Sequence, residues 1–126
     1  MKIGIVDDNQ SIGRQLIQKL NLAEEIEVLF FADRGRKALE WLAAHQAKPD
    51  ILLMDIEMPD MDGIETTFRI KQLYPDIKIL MLTVFESEDK IFNAIKAGAT
   101  GYLLKDEKLE RMLVAFDEIM EGGIPM

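Results

Sequence analysis

Five times along the 126 residues, a short apolar run gives way to a longer stretch whose apolar residues recur at helical spacing. Such strand-then-helix units in unbroken succession point to a parallel sheet, because each parallel neighbour needs a crossover long enough to hold a helix. The first unit is Ile3 to Val6, followed by Ile12, Leu16, Ile17 and Leu20 at helical positions. The second is Ile26 to Phe31, then Asp33 as a candidate helix cap and Ala38, Leu39, Leu42 and Ala43. The third runs from Asp50 to Met54, and a Pro/Asp/Gly-rich turn from Met58 to Gly63 leads into a helix ending near Leu73. The fourth is Ile77 to Leu82, with Ile91, Phe92, Ile95 and Ala97 on a helix closed by Gly98. The fifth is Gly101 to Leu104, with Leu109, Met112, Leu113, Phe116 and Met120 on the last helix.

Runs one, three and four are continuously apolar rather than alternating, as strands buried on both faces of a sheet should be. With right-handed crossovers, a chain of this length fits an α/β fold: a doubly wound five-stranded parallel sheet in the flavodoxin-like order 2-1-3-4-5. Ligands of such sheets sit beyond the carboxyl ends of the strands, where the strand order reverses between strands 1 and 3.

The residues at the carboxyl ends of the strands are chemically selective. Strand 1 ends in Asp7-Asp8, strand 3 in Asp55, strand 4 in Thr83 and strand 5 in Lys105. Two carboxylates ~4 Å apart repel by ~4 kcal/mol at an effective dielectric near 20. A cluster of three must therefore be partly protonated, paired with a cation, or both. Mg²⁺ suits such a site, since it takes oxygen ligands octahedrally and bridges to phosphoryl oxygens. A carboxylate beside that metal can act as the nucleophile of phosphoryl transfer, a reaction that rests mostly on positioning and charge neutralisation.

Taken together, these motifs resemble the receiver domains of two-component response regulators. The resemblance is carried by Asp7-Asp8, by Asp55 within Leu53 to Pro59 with Gly63 beyond, by Thr83 in Leu82-Thr83-Val84, and by Ala97 to Lys105. It implies that Asp55 accepts phosphate from a histidine kinase and that the domain contributes to catalysis of its own phosphorylation and dephosphorylation, without being an enzyme otherwise. It implies Mg²⁺ ligation by Asp8, Asp55 and the backbone carbonyl of Glu57, with Asp7 acting through water. Thr83 and Tyr102 are the implied switch pair, reshaping the surface of the fourth helix, fifth strand and fifth helix, and Lys105 the phosphoryl ion-pair partner. Homodimerisation on activation belongs to the same implication, with Ile91, Tyr102 and Met112 as candidates for a partner or self-association face.

The stretch from Leu82 to Asp106 is most similar to receivers that precede a C-terminal helix-turn-helix DNA-binding domain. This similarity implies a receiver over residues 1–121 and the start of a linker or tail over 122–126, with a stand-alone receiver as the alternative. Two positions depart from the family's habits. Asp106 stands where Pro commonly follows the lysine, leaving the geometry of that peptide bond open, and Val84 is larger than usual. Together with Glu57 and Phe85, Val84 is expected to influence autodephosphorylation.

Blander readings stand beside these. Asp7 and Asp8 could cap a helix, Thr83 could cap the helix after strand 4 (Ser87 and Glu88 sit nearer its start), and Lys105 could be a solvated lysine. Tyr102 could be a half-buried aromatic at a sheet edge. His45 reads as surface and Trp41 as packing, with Met54, Met58 and Met61 as filler around an irregular loop. A haloacid-dehalogenase-type phosphatase would want a second Asp two residues beyond the nucleophile, where this chain has Glu57. A flavodoxin-type carrier would want Ser, Thr or Gly after strand 1. A non-phosphorylatable interaction module is disfavoured by Asp55, Thr83 and Lys105 being present together.

Composition sets the remaining bounds. The chain is 48% hydrophobic and has no cysteine, so a core is possible while a disulfide framework or thiolate zinc site is not. No apolar run approaches the ~20 residues a bilayer requires. Carboxylates begin at Asp7, too early for a signal peptide, so a cytoplasmic location without membrane contact is expected. A net charge of −8 repels phosphate backbones, so direct nucleic-acid contact by this domain is not expected.

Overall fold

The computed structural model describes residues 1–84 and 88–122. Ten elements alternate: β1 (Lys2–Val6), α1 (Gln10–Leu20), β2 (Glu27–Ala32), α2 (Gly35–Ala44), β3 (Ile51–Asp55), α3 (Gly63–Leu73), β4 (Lys78–Thr83), α4 (Glu88–Ala97), β5 (Gly101–Leu104) and α5 (Leu109–Met120). All strand pairs are parallel, and the sheet order is β2-β1-β3-β4-β5. Expected order and observed order agree. The pairings Val6 with Met54, Asp55 with Leu82 and Thr83 with Leu104 bring the strand ends to one rim.

Every residue of β3 is buried, and its side chains part alternately to two cores. Ile51 and Leu53 join Ile3, Ile5, Leu16 and Phe116 on the α1/α5 face. Leu52 and Met54 join Leu42, Ile70, Ile79 and Ala94 on the α2/α3/α4 face. Two cores explain why these runs are continuously apolar, each fully buried Leu or Ile contributing ~1.5–3 kcal/mol of transfer free energy. This two-sided burial fixes the sheet rigidly and leaves the rim for polar groups.

The helix ends are specified locally. Asn9 caps α1, its side chain accepting from the Ile12 N–H at 3.1 Å, and Asp62 caps α3 through the Glu65 N–H at 2.8 Å. Gly98 ends α4 with φ of +119°, a conformation that a side chain would strain.

Several local expectations are corrected. Asp33 does not cap α2; Arg34 occupies that position, and the Asp33 carboxylate instead pairs with Lys37 at 3.1 Å and Arg34 at 3.4 Å. His45 lies on the surface but has partners: it stacks on Trp41 and its Nδ1 lies 2.8 Å from the Trp41 carbonyl. Trp41 packs on Phe30, as a packing residue should. On α4 only Ala94 is fully buried, while Phe92 and Ile95 are exposed. On α5 Ile119 faces the core and Met120 faces outward. Ala43 is exposed on α2. Phe85 and Ser87 lie outside the described residues, as does most of the expected tail, 123–126.

Candidate functional site

The rim gathers the strand-end residues into one constellation. Asp7 sits just beyond β1 and is fully buried; its Oδ1 accepts the Asn9 N–H at 2.9 Å, and its Oδ2 lies 3.0 Å from Lys105 Nζ. Asp55 ends β3, also buried, with Oδ1 3.0 Å from the same ammonium. Asp8 is exposed beside them, and one carboxylate oxygen from each of Asp7, Asp8 and Asp55 lies within 4.8 Å of the others. Lys105 is held in turn by its backbone, whose N–H donates to the Thr83 carbonyl at 2.9 Å. No cis peptide bond occurs among the described residues, so the Lys105-Asp106 bond left open by the sequence is trans.

Charge in this cluster does not balance. Burial, then the neighbouring Asp7 carboxylate, push the Asp55 carboxyl up to about 7 from 3.8, against the pull of Lys105. Burial would also depress the Lys105 ammonium, but its contacts with Asp7 and Asp55 outweigh that and hold it above the ordinary lysine range. Among the described residues, Lys105 pairs with Asp7 and Asp55, and Asp8 adds a third carboxylate beside them. Asp55 Oδ2 is buried with no hydrogen-bond donor among the described residues. Leaving such an atom unpaired costs ~1–3 kcal/mol or more. An orphaned, buried oxygen among all-oxygen donors is the environment a hard cation relieves, and Mg²⁺ fits it.

A cavity of about 330 Å³ opens onto these groups, lined by Asp8, Asn9, Ile12, Asp55, Ile56, Glu57, Leu82, Thr83, Val84, Lys90 and Lys105. Thr83 is buried at its wall and Val84 is exposed at its edge. Tyr102 is not among the lining residues; it is half-buried and packs with the α2/α3/α4 core, two strands from Asp55. Met112 is buried and offers nothing to a partner face, which removes it from the candidates. Ile91 and Tyr102 remain partly accessible.

Sequence reading missed two participants. Asn9 both caps α1 and fixes Asp7, and its place directly after the acidic pair was the available signal. Lys90 lines the cavity and forms an ion pair with the Glu57 side chain. That pair joins two segments distant in sequence, so no local pattern reveals it.

Residues 3–117 match the family of response regulator receiver domains. The transcriptional regulatory protein LnrK of Bacillus subtilis is 40% identical over 124 residues, covering 98% of this chain and 56% of that protein. The oxygen regulatory protein NreC of Staphylococcus epidermidis is 36% identical over 123 residues, covering 97% and 56%. The chain spans about half the length of the curated relatives it matches. Among solved structures, the signal receiver domain of the putative response regulator NarL from Mycobacterium tuberculosis superposes with a TM-score of 0.86 at 27% identity, covering 96% of each chain. The chemotaxis protein CheY4 of Vibrio cholerae gives 0.82 at 33% identity, covering 94% and 97%.

Proposed function

The chain belongs to the response regulator receiver family, the signalling domains of two-component systems, and on that premise we propose that Asp55 is its phosphoacceptor. The observation that carries this is the buried Asp55 carboxylate, with Oδ2 unpartnered among the described residues, Oδ1 held by Lys105 and a cavity at its side. In the transfer, an Asp55 oxygen bonds to the phosphorus of a histidine kinase's phosphohistidine. The P–N bond breaks, and its electron pair leaves with the imidazole. Lys105 neutralises charge on the incoming phosphoryl oxygens, and the Thr83 hydroxyl is near enough to the cavity to hydrogen-bond one of them. Asp8, Asp55 and the Glu57 carbonyl are the proposed Mg²⁺ ligands, with Asp7 acting through water. The bound ion would supply charge neutralisation at the phosphoryl group.

Thr83 and Tyr102 form the proposed switch, with Tyr102 turning into space that Thr83 leaves and altering the surface of α4, β5 and α5. The described domain, 1–121 with a linker from 122, would then act by homodimerisation or through a C-terminal DNA-binding domain of the full-length protein, in the cytoplasm. Among the described residues, no helix is long and apolar enough to cross a membrane.

Intact-mass spectrometry with acetyl phosphate and Mg²⁺ tests the acceptor. Wild type is expected to gain one hydroxylamine-labile phosphoryl group and Asp55→Asn none; labelling of the variant at the wild-type rate would sink the assignment. A second expectation concerns the ion. At ten times its dissociation constant, Mg²⁺ should add about 1.4 kcal/mol by mass action, a few degrees of melting temperature. Asp8→Ala should remove most of that gain, and a flat millimolar titration of wild type would argue against the ligand set.

A further inference from the structure

We infer that the trough between α2 and α3 is a docking surface for an acidic amphipathic helix of a partner protein. The two helices lie side by side on one face of the sheet, joined through Leu42 and Ile70 in the same core. Between them runs an open hollow of about 550 Å³ whose walls include Leu39, Ala43, Phe68, Leu73 and Tyr74. Phe68 is 48% and Leu73 64% exposed, so α3 presents two large apolar side chains to water on an otherwise polar flank. Exposed apolar groups gathered in a groove, rather than scattered singly, mark recognition surfaces.

One end of the trough is basic. Arg36 and Arg69 line it together with one carboxylate, Glu40, and the same two arginines line a second hollow of about 310 Å³, where Arg34 and Asp60 join them, so that cations outnumber carboxylates in both linings. Three of the five arginines of the chain thus meet at one place on a protein of net charge −8. Their charge is only partly used internally. Arg34 pairs with Asp33 at 3.4 Å and Arg69 reaches Glu65 only at 3.9 Å, while no carboxylate among the described residues lies within ion-pair distance of Arg36. Guanidinium groups beside an apolar floor complement a helix bearing carboxylates at one end and Leu- or Phe-like residues at i and i+3 or i+4. The helices forming the walls are 10 and 11 residues long, about 15 Å each, which accommodates about three turns of an occupant. A second copy of this chain is the poorer occupant. Two-fold pairing of trough on trough would bring Arg34, Arg36 and Arg69 of each copy to one interface, where Glu40 and Asp60 of the same linings are too few to meet them.

The test uses two fluorescein-labelled synthetic helices of about 14 residues, long enough to lay about three turns in the trough with a short overhang, with identical Leu and Phe positions. One carries Glu at one end and the other Lys at the same positions. Fluorescence anisotropy gives affinity, and backbone-amide NMR gives location. The acidic peptide should bind, with shifts centred on Leu39, Phe68 and Leu73. Arg36→Glu with Arg69→Glu should weaken it roughly tenfold or more, and Phe68→Ser comparably. All three residues are exposed, so the variants are expected to fold, and unchanged amide dispersion checks this. The inference is overturned by shifts that map elsewhere, by equal affinity for the two peptides, or by no binding at millimolar peptide. It is also overturned if sedimentation shows the trough already closed by a second copy.

Discussion

Gly63→Ala is expected to destabilise the domain by about 3 kcal/mol or more. A Cβ built on Gly63 would lie 1.8 Å from the carbonyl oxygen of Asp55 and 2.8 Å from its carbonyl carbon. The obstacle is backbone at the end of the central strand, so it cannot swing aside as a side chain would. The contact exists because the Gly63 N–H donates to the Ile56 carbonyl at 2.8 Å, folding the start of α3 back onto the end of β3. Relief requires either breaking that hydrogen bond or shifting Asp55 itself. The same substitution should therefore slow phosphorylation by acetyl phosphate in whatever fraction stays folded. Chemical denaturation giving a stability within about 0.5 kcal/mol of wild type, which is the ordinary scatter of surface changes, would contradict the close approach.

Why Gly63 could be flagged from the sequence but not explained illustrates where sequence reading stops. Its place in a turn after a strand was legible; the backbone it touches belongs to tertiary geometry. The acidic rim was legible because parallel topology sends every strand's carboxyl end to one edge. Asp7, Asp8, Asp55, Thr83 and Lys105 could thus be brought together without any long-range contact being known. Two-sided burial of β1, β3 and β4 was legible for the same reason, from runs that do not alternate. The fourth helix was read less well. Apolar spacing through Ile91, Phe92 and Ile95 marks a face, but the small Ala94 is what meets the core, and the larger neighbours flank it in solvent. Periodicity locates a stripe without saying how narrow the contact is. The same ambiguity affects the last helix, where Met112, read as a candidate for the partner face, is buried and Met120 is exposed; Asp33, read as a cap, pairs instead with Lys37 and Arg34.

Without metal at pH 8, Asp55→Asn is expected to melt several degrees above wild type, although it removes the residue on which the proposed function depends. The Asp55 carboxyl is raised from 3.8 to about 7, chiefly by burial and then by the Asp7 charge. A raised carboxyl means that the fold favours the neutral form, which Asn imitates while leaving the Lys105–Asp7 pair at 3.0 Å in place. The full penalty such a displacement represents is of order 4 kcal/mol. Water entering the adjacent cavity and a realistic effective dielectric reduce this to ~1–2 kcal/mol, which is several degrees for a domain of this size. The pH dependence has a definite sign. Above about 7 the carboxyl is ionised in both folded and unfolded chains, and the penalty is complete. As pH falls from about 7 toward 3.8, the folded form takes up its proton first, so wild-type stability rises relative to the variant and the gap closes. Saturating Mg²⁺ at pH 8 should reverse the order, because the ion relieves in wild type the repulsion that the variant has already lost. Melting curves in EDTA and in Mg²⁺ between pH 5 and 8, in steps of about one unit, decide the matter. If Asn lowers the metal-free melting temperature at pH 8, the Asp55 charge is adequately neutralised without an ion, and the case for a cation at this rim loses its electrostatic basis.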